Sequence, residues 1–119
     1  MKKVNPKRGE IYLVNFDPTH GAEIKKTRPA LIVQNNIANQ HSPVTIVAAI
    51  TSFKGGKVYP TEVIISSSET GLREDSMVVL NQIRSIDRQH LMRKLGIVQR
   101  STMQTIDTAL QLSLGLVSL

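Results

Sequence analysis

Residues 10–36 read EIYLVNFDPTHGAEIKKTRPALIVQNN: two short hydrophobic runs, Glu10 to Phe16 and Ala30 to Gln34, joined by a polar loop that contains Gly21. Both runs are rich in β-branched or aromatic residues. Turn-forming pairs follow them at Asp17-Pro18 and Asn35-Asn36, so each predicts a strand. The second run is entered through Arg28-Pro29. Proline has a preset φ and no N–H, which places Pro29 at a strand start or edge, and its ring pushes Arg28 into an extended backbone. A guanidinium is thereby fixed at a strand mouth. Its planar fork of five donors suits a carboxylate or a phosphodiester; a surface ion pair with Glu23 is the plainer account.

Outward from this unit, further β-rich runs occupy Val44 to Ile50, Thr61 to Ile65, Ser76 to Leu80 and Arg84 to Ile86. Ser42-Pro43, Gly55-Gly56 and Thr70-Gly71 punctuate them, and no long helical pattern intervenes. Short strands in this arrangement predict an antiparallel sheet curled into a small barrel. The end differs in kind: Ser101-Thr102-Met103-Gln104 is a capping-box pattern, and Met103, Ile106, Ala109, Leu110 and Leu114 follow at helical spacing. A C-terminal helix packed on the barrel is expected, with short helical turns at Ile37 to Gln40 and Arg88 to Arg93. The fold class is therefore mainly β with added helices. With 119 residues there is room for one core, and a single domain over 1–119 is expected.

Fifteen Lys and Arg against nine Asp and Glu leave a formal net charge of +6, which favours a polyanionic or acidic partner. The four aromatics, Tyr12, Phe16, Phe53 and Tyr59, are too few for a base-stacking platform, so phosphate and polar base contacts must carry any RNA binding. The chain has no cysteine, and its basic start lacks an apolar signal core. The longest apolar run, Ile46 to Ile50, is too short for a bilayer. A cytoplasmic protein without membrane association is expected. His20, His41 and His90 form no metal-ligand pattern, no GxSxG elbow exists, and Gly55-Gly56-Lys57 is no phosphate-cradling loop. No metal or cofactor is expected. If RNA is cut, these absences favour attack by its own ribose 2′-hydroxyl on the adjacent phosphate.

Four segments, in order, resemble one family: Arg8-Gly9-Glu10-Ile11-Tyr12, VTIVAAITS from Val44, DSMVVLNQIRSID from Asp75, and ALQLSLGL from Ala109. The chain resembles the MazF/PemK toxin endoribonucleases over nearly its whole length. That resemblance implies an SH3-like antiparallel barrel of the CcdB/PemK type, a homodimer, and metal-independent, sequence-specific cleavage of single-stranded RNA. It also implies a cognate acidic antitoxin, with operator DNA contacted only through the antitoxin complex. A catalytic role is carried onto Arg28 and Thr51. Glu23 is the carboxylate in the same loop, placed either to orient Arg28 or to accept the 2′-hydroxyl proton. Lys25 and Lys26 are expected to hold phosphates or simply to be solvated, and Ser52 to contact RNA beside Thr51. Asn81 and Gln82 either read base edges or make a turn. Two other classes compete: a CcdB-like gyrase poison and a non-catalytic DNA-binding module. The apolar C-terminus, Ser113 to Leu119, reads as packed, which argues against the poison.

Overall fold

Alternation of apolar and polar residues sets which side chains each strand buries, and here both faces of one sheet carry a core. The computed structural model describes residues 4–16 and 27–119. Strands β1 (Glu10–Asn15), β2 (Thr27–Ile32), β3 (Val44–Ser52), β4 (Glu62–Ile65), β5 (Ser76–Asp87) and β6 (Leu91–Ile97) form a six-stranded sheet of order β4-β5-β3-β2-β1-β6. Every pairing is antiparallel. One face carries Ile11, Leu31, Ala48, Ile50, Val78 and Leu80, and against them pack Met103, Ile106 and Ala109 of helix α3 (Arg100–Ser113). The other face carries Tyr12, Val14, Ala30, Ile32, Val47, Ile86 and Leu91. Helices α1 (Asn36–His41) and α2 (Ser67–Thr70) complete the fold; α2 packs on β6, and α3 on β4 and β5. The mainly β architecture with a C-terminal helix is as expected.

The Arg8-Gly9-Glu10 stretch is structural. Gly9 has φ +95°, donates its N–H to the Ile32 carbonyl and accepts from the Val98 N–H, tying β1 to its surroundings. Arg8 donates from Nε to the Val33 carbonyl at 2.8 Å and from Nη2 to Asp107 of α3. Arg88 is a second clamp. Its guanidinium donates to the carbonyls of Asn39, Ser42 and Val4 and to Asn5 Oδ1, joining α1 to the N-terminal segment.

Several elements differ from the sequence expectation. β2 begins at Thr27, so Arg28 and Pro29 lie within the strand instead of before it. The expected helical turn stops at a 3-10 turn over Arg88–His90, and Leu91–Ile97 is a strand, β6. Its LMRK sequence favours helix, but pairing with β1 overrides that propensity. As an edge strand, β6 carries exposed Arg93 and Lys94, and Lys94 pairs with Glu10 at 3.1 Å.

The start of α3 also differs: Gln99, not Ser101, is the N-cap, and no side chain of the helix caps it. Glu69 of α2 does so instead, accepting from the Gln99 N–H at 2.8 Å and from Thr102 Oγ1 at 3.0 Å. Gly96 lets these elements meet, because a Cβ there would lie 2.0 Å from the Thr70 carbonyl oxygen. The C-terminal residues are not packed as expected: Leu116 is 69% and Leu119 94% exposed. Their apolar character therefore gives no argument against a docking role.

Candidate RNA-binding and catalytic site

The second core face becomes polar toward the Thr27 end of β2, and the period-2 geometry of strands predicts which residues appear there. Ala30 pairs with Ala49 across β2 and β3. Arg28 and Thr51 each lie two residues further along these strands, so both share the face of Ala30 and Ala49. Phe16 follows Tyr12 and Val14 on this face and packs against their cluster. Gln82 and Arg84 precede Ile86 on β5 with the same parity. The register thus gathers residues from four separate segments.

Phe16, Arg28, Gln82 and Arg84 do line one cleft, of about 320 Å³, floored by Val47, Ala49 and Ile83. Among the described residues its lining holds two guanidinium groups and no carboxylate. Arg84 lies over the Phe16 ring, 5.2 Å from the centroid, which orients the guanidinium and covers the ring. Arg28 is exposed, and none of the salt bridges among the described residues includes it. The cleft can therefore take an anion on Arg28 and Arg84, with an aromatic edge and an amide nearby.

Asn81 and Gln82 owe their position to an irregularity in β5. Ala48 pairs with Ile83 while Ala49 pairs with Val79, so one step on β3 spans four on β5. Leu80, Asn81 and Gln82 are the extra residues. Leu80 turns into the core, its N–H bonded to the Thr61 carbonyl at 2.9 Å, and the two amides are left exposed. This is a three-residue bulge inside a continuous strand, where the sequence leaves a turn open as an alternative. Bulges of this kind re-aim side chains, and here Gln82 is aimed into the cleft.

Thr51 and Ser52 end β3, both exposed. Ser52 Oγ donates to Glu74 Oε2 at 2.7 Å, and Lys54 Nζ lies 3.6 Å from Glu74 Oε1. These two neighbours, the hydroxyl foremost and then the ammonium, hold the Glu74 carboxyl below the usual carboxylate range. Elsewhere on the cleft's face, Tyr12 is pushed up to about 12 by burial and then by the adjacent Glu10 carboxylate. Of the expected site residues, Arg28, Thr51, Ser52, Asn81 and Gln82 are described and lie at this end of the sheet. Glu23, Lys25 and Lys26 lie outside the described residues. Phe16, Arg84 and Glu74 carry no sequence signal that marks them for the site; the continuity of β5 through Gln82, Arg84 and Ile86, which brings Arg84 to the cleft, comes from its pairing with β3. Among the described residues no group of three or more His, Asp or Glu side chains is arranged to hold a metal ion.

Similarity to known proteins gives the family. Residues 7–114 match the family model of the PemK-like, MazF-like toxins of type II toxin-antitoxin systems. The chain is 41% identical over 111 residues to the endoribonuclease EndoA of Bacillus subtilis, covering 93% of this chain and 96% of that protein. It is 41% identical over 110 residues to the endoribonuclease MazF of Staphylococcus epidermidis, covering 92% of each. Among solved structures it resembles a mycobacterial endoribonuclease in complex with its cognate antitoxin, with TM-score 0.77, 29% identity, and coverage of 96% of this chain and 99% of that one. The chain belongs to the PemK-like, MazF-like toxin family of type II toxin-antitoxin systems.

Proposed function

We propose that this toxin is a metal-independent endoribonuclease that cuts single-stranded RNA by attack of the ribose 2′-hydroxyl on the adjacent phosphate. The observation that carries this reading is the exposed Arg28 at one end of a cleft shared with Gln82 and Arg84. In the step, the 2′-oxygen bonds to phosphorus, the P–O5′ bond breaks, and the departing 5′-oxygen takes a proton. Charge grows on the non-bridging oxygens, where a fixed guanidinium stabilises it most. Arg28 supplies that charge, and Thr51, on the same face, donates a neutral hydrogen bond. Glu23 orients Arg28 or accepts the 2′-hydroxyl proton; Lys25 and Lys26 hold flanking phosphates. Asn81 and Gln82 present amides to base edges, and Ser52 lies beside them at the β3 end.

The working unit in this proposal is a cytoplasmic homodimer. Leu114, Leu116, Val117 and Leu119 leave an exposed apolar row that a second protomer can bury. An acidic segment of a cognate antitoxin neutralises the toxin by covering the Arg28 and Arg84 cleft, and operator DNA is reached only through that complex. The test is incubation of the purified protein with a long RNA in EDTA. Fragments with 2′,3′-cyclic phosphate and 5′-hydroxyl ends are expected. Intact RNA, or 5′-phosphate ends, would overturn the mechanism, and intact RNA with inhibited gyrase would select the poison instead.

A further inference from the structure

A second cleft, of about 240 Å³, opens at the same end of the sheet, toward its other face, and Pro29, Thr51, Ser52, Arg73 and Glu74 are among its lining. Pro29 and Ile50 have the opposite strand parity to Arg28 and Thr51, so the two clefts flank the ends of β2 and β3. Thr51, where the proposed reaction places the phosphate, is itself part of this lining, so a base next to that phosphate adjoins the cleft. The volume is below the roughly 300–1,000 Å³ of sites for drug-sized ligands, and suits one nucleobase.

The chemistry here is unlike that of the first cleft. Pro29 and Leu72 offer apolar surface for a base plane, and Glu74 offers an ionised acceptor with the Arg73 guanidinium next to it in the chain. Ser52 at 2.7 Å and Lys54 at 3.6 Å hold one carboxylate oxygen each, which leaves lone pairs for a ligand. A carboxylate repels phosphate and selects N–H groups. Guanine presents two adjacent donors, N1–H and N2–H, on its pairing edge. Cytosine and adenine present one amino group each, and uracil presents a single N–H between two carbonyls.

We propose that Glu74, held by Ser52, reads one nucleobase beside the cut and favours an amino-bearing base, guanine foremost, over uracil. The proposal rests on the endoribonuclease reading only in placing the cut beside this cleft. Donation from Ser52 and the nearness of Lys54 favour the ionised carboxyl, consistent with its depressed titration.

The experiment measures binding of uncleavable 2′-methoxy decauridine, and of the same strand with one central guanosine, to the full chain by fluorescence anisotropy. In parallel, a randomised RNA pool is cut and the fragment ends are sequenced. The single guanosine should tighten binding about tenfold or more in the wild type. In Glu74→Ala the ratio should fall toward one while decauridine affinity holds or rises, and the cut-site pool should lose its bias against uracil at one position only. Glu74→Gln, which keeps one acceptor oxygen, should fall between. A guanosine ratio absent in the wild type, or unchanged in Glu74→Ala, overturns the subsite whether or not RNA is cut. Equal weakening of both oligonucleotides in Glu74→Ala assigns Glu74 to structure and also overturns it. A guanosine ratio that is present and depends on Glu74, with no RNA cut, upholds the subsite and overturns the endoribonuclease reading.

Discussion

Replacing Arg28 by alanine separates chemistry from folding, because the structure predicts a large effect on one and almost none on the other. The side chain is exposed, takes no part in either hydrophobic cluster, and forms no ion pair with a described residue. Surface changes of this kind shift stability by about 0.5 kcal/mol or less. At about 4 °C per kcal/mol, the melting temperature should move by roughly 2 °C at most. Loss of a charged stabiliser of the developing anion removes about 2.7–4 kcal/mol of transition-state stabilisation, a fall of about 100- to 1,000-fold in rate. Arg88→Ala is the internal contrast: its guanidinium makes four hydrogen bonds, to three carbonyls and Asn5, so its loss should cost several kcal/mol and lower the melting temperature by about 10 °C or more. The assay is fluorogenic cleavage of a chimeric RNA in EDTA alongside differential scanning calorimetry. Wild-type rates in Arg28→Ala would refute the catalytic role. A stability loss matching that of Arg88→Ala would show that Arg28 serves the fold.

Thr51→Ala should slow cleavage by less than Arg28→Ala, about tenfold, since a neutral donor is lost; an equal or larger loss would move the main charge stabilisation away from Arg28. Gly96→Ala should unfold the α2 and β6 junction, costing about 3 kcal/mol or more in urea denaturation, because its Cβ meets the Thr70 carbonyl oxygen at 2.0 Å and backbone cannot yield. Glu69→Ala removes both acceptors at the start of α3 and should cost about 1–2 kcal/mol with loss of helical signal on mild heating; an unchanged midpoint would show that solvent caps the helix as well. Burial pushes Tyr12 up to about 12 in the fold against 10 in the open chain, so stability is unaffected by this group below pH 10 and falls by about 2–3 kcal/mol as pH rises from 10 through 12. The stability difference between wild type and Tyr12→Phe should therefore be flat to about pH 9 and move in favour of the variant above it.

What the residues determine by themselves is local. Pro29 constrains its own φ and that of Arg28, so an extended cation near a strand start was legible before any partner strand was known. The alternation in EIYLVNF and VTIVAAITS, and the spacing of Met103, Ile106 and Ala109, likewise depend only on near neighbours, and they located β1, β3 and α3. Long-range pairing decided the rest. Leu91 to Ile97 has a helix-favouring composition and becomes a strand only because β1 supplies its hydrogen bonds. Ser101 had the better capping signature, yet Glu69, thirty residues before Gln99, satisfies the start of α3. The Asn81-Gln82 pair looked as much like a turn as a reading head, and only the slip between Ala48 and Ala49 against β5 made it a bulge at the cleft. Phe16, Arg28, Gln82 and Arg84 meet because antiparallel register brings equal parity onto one face, and register is a property of strand pairs, which no single segment encodes.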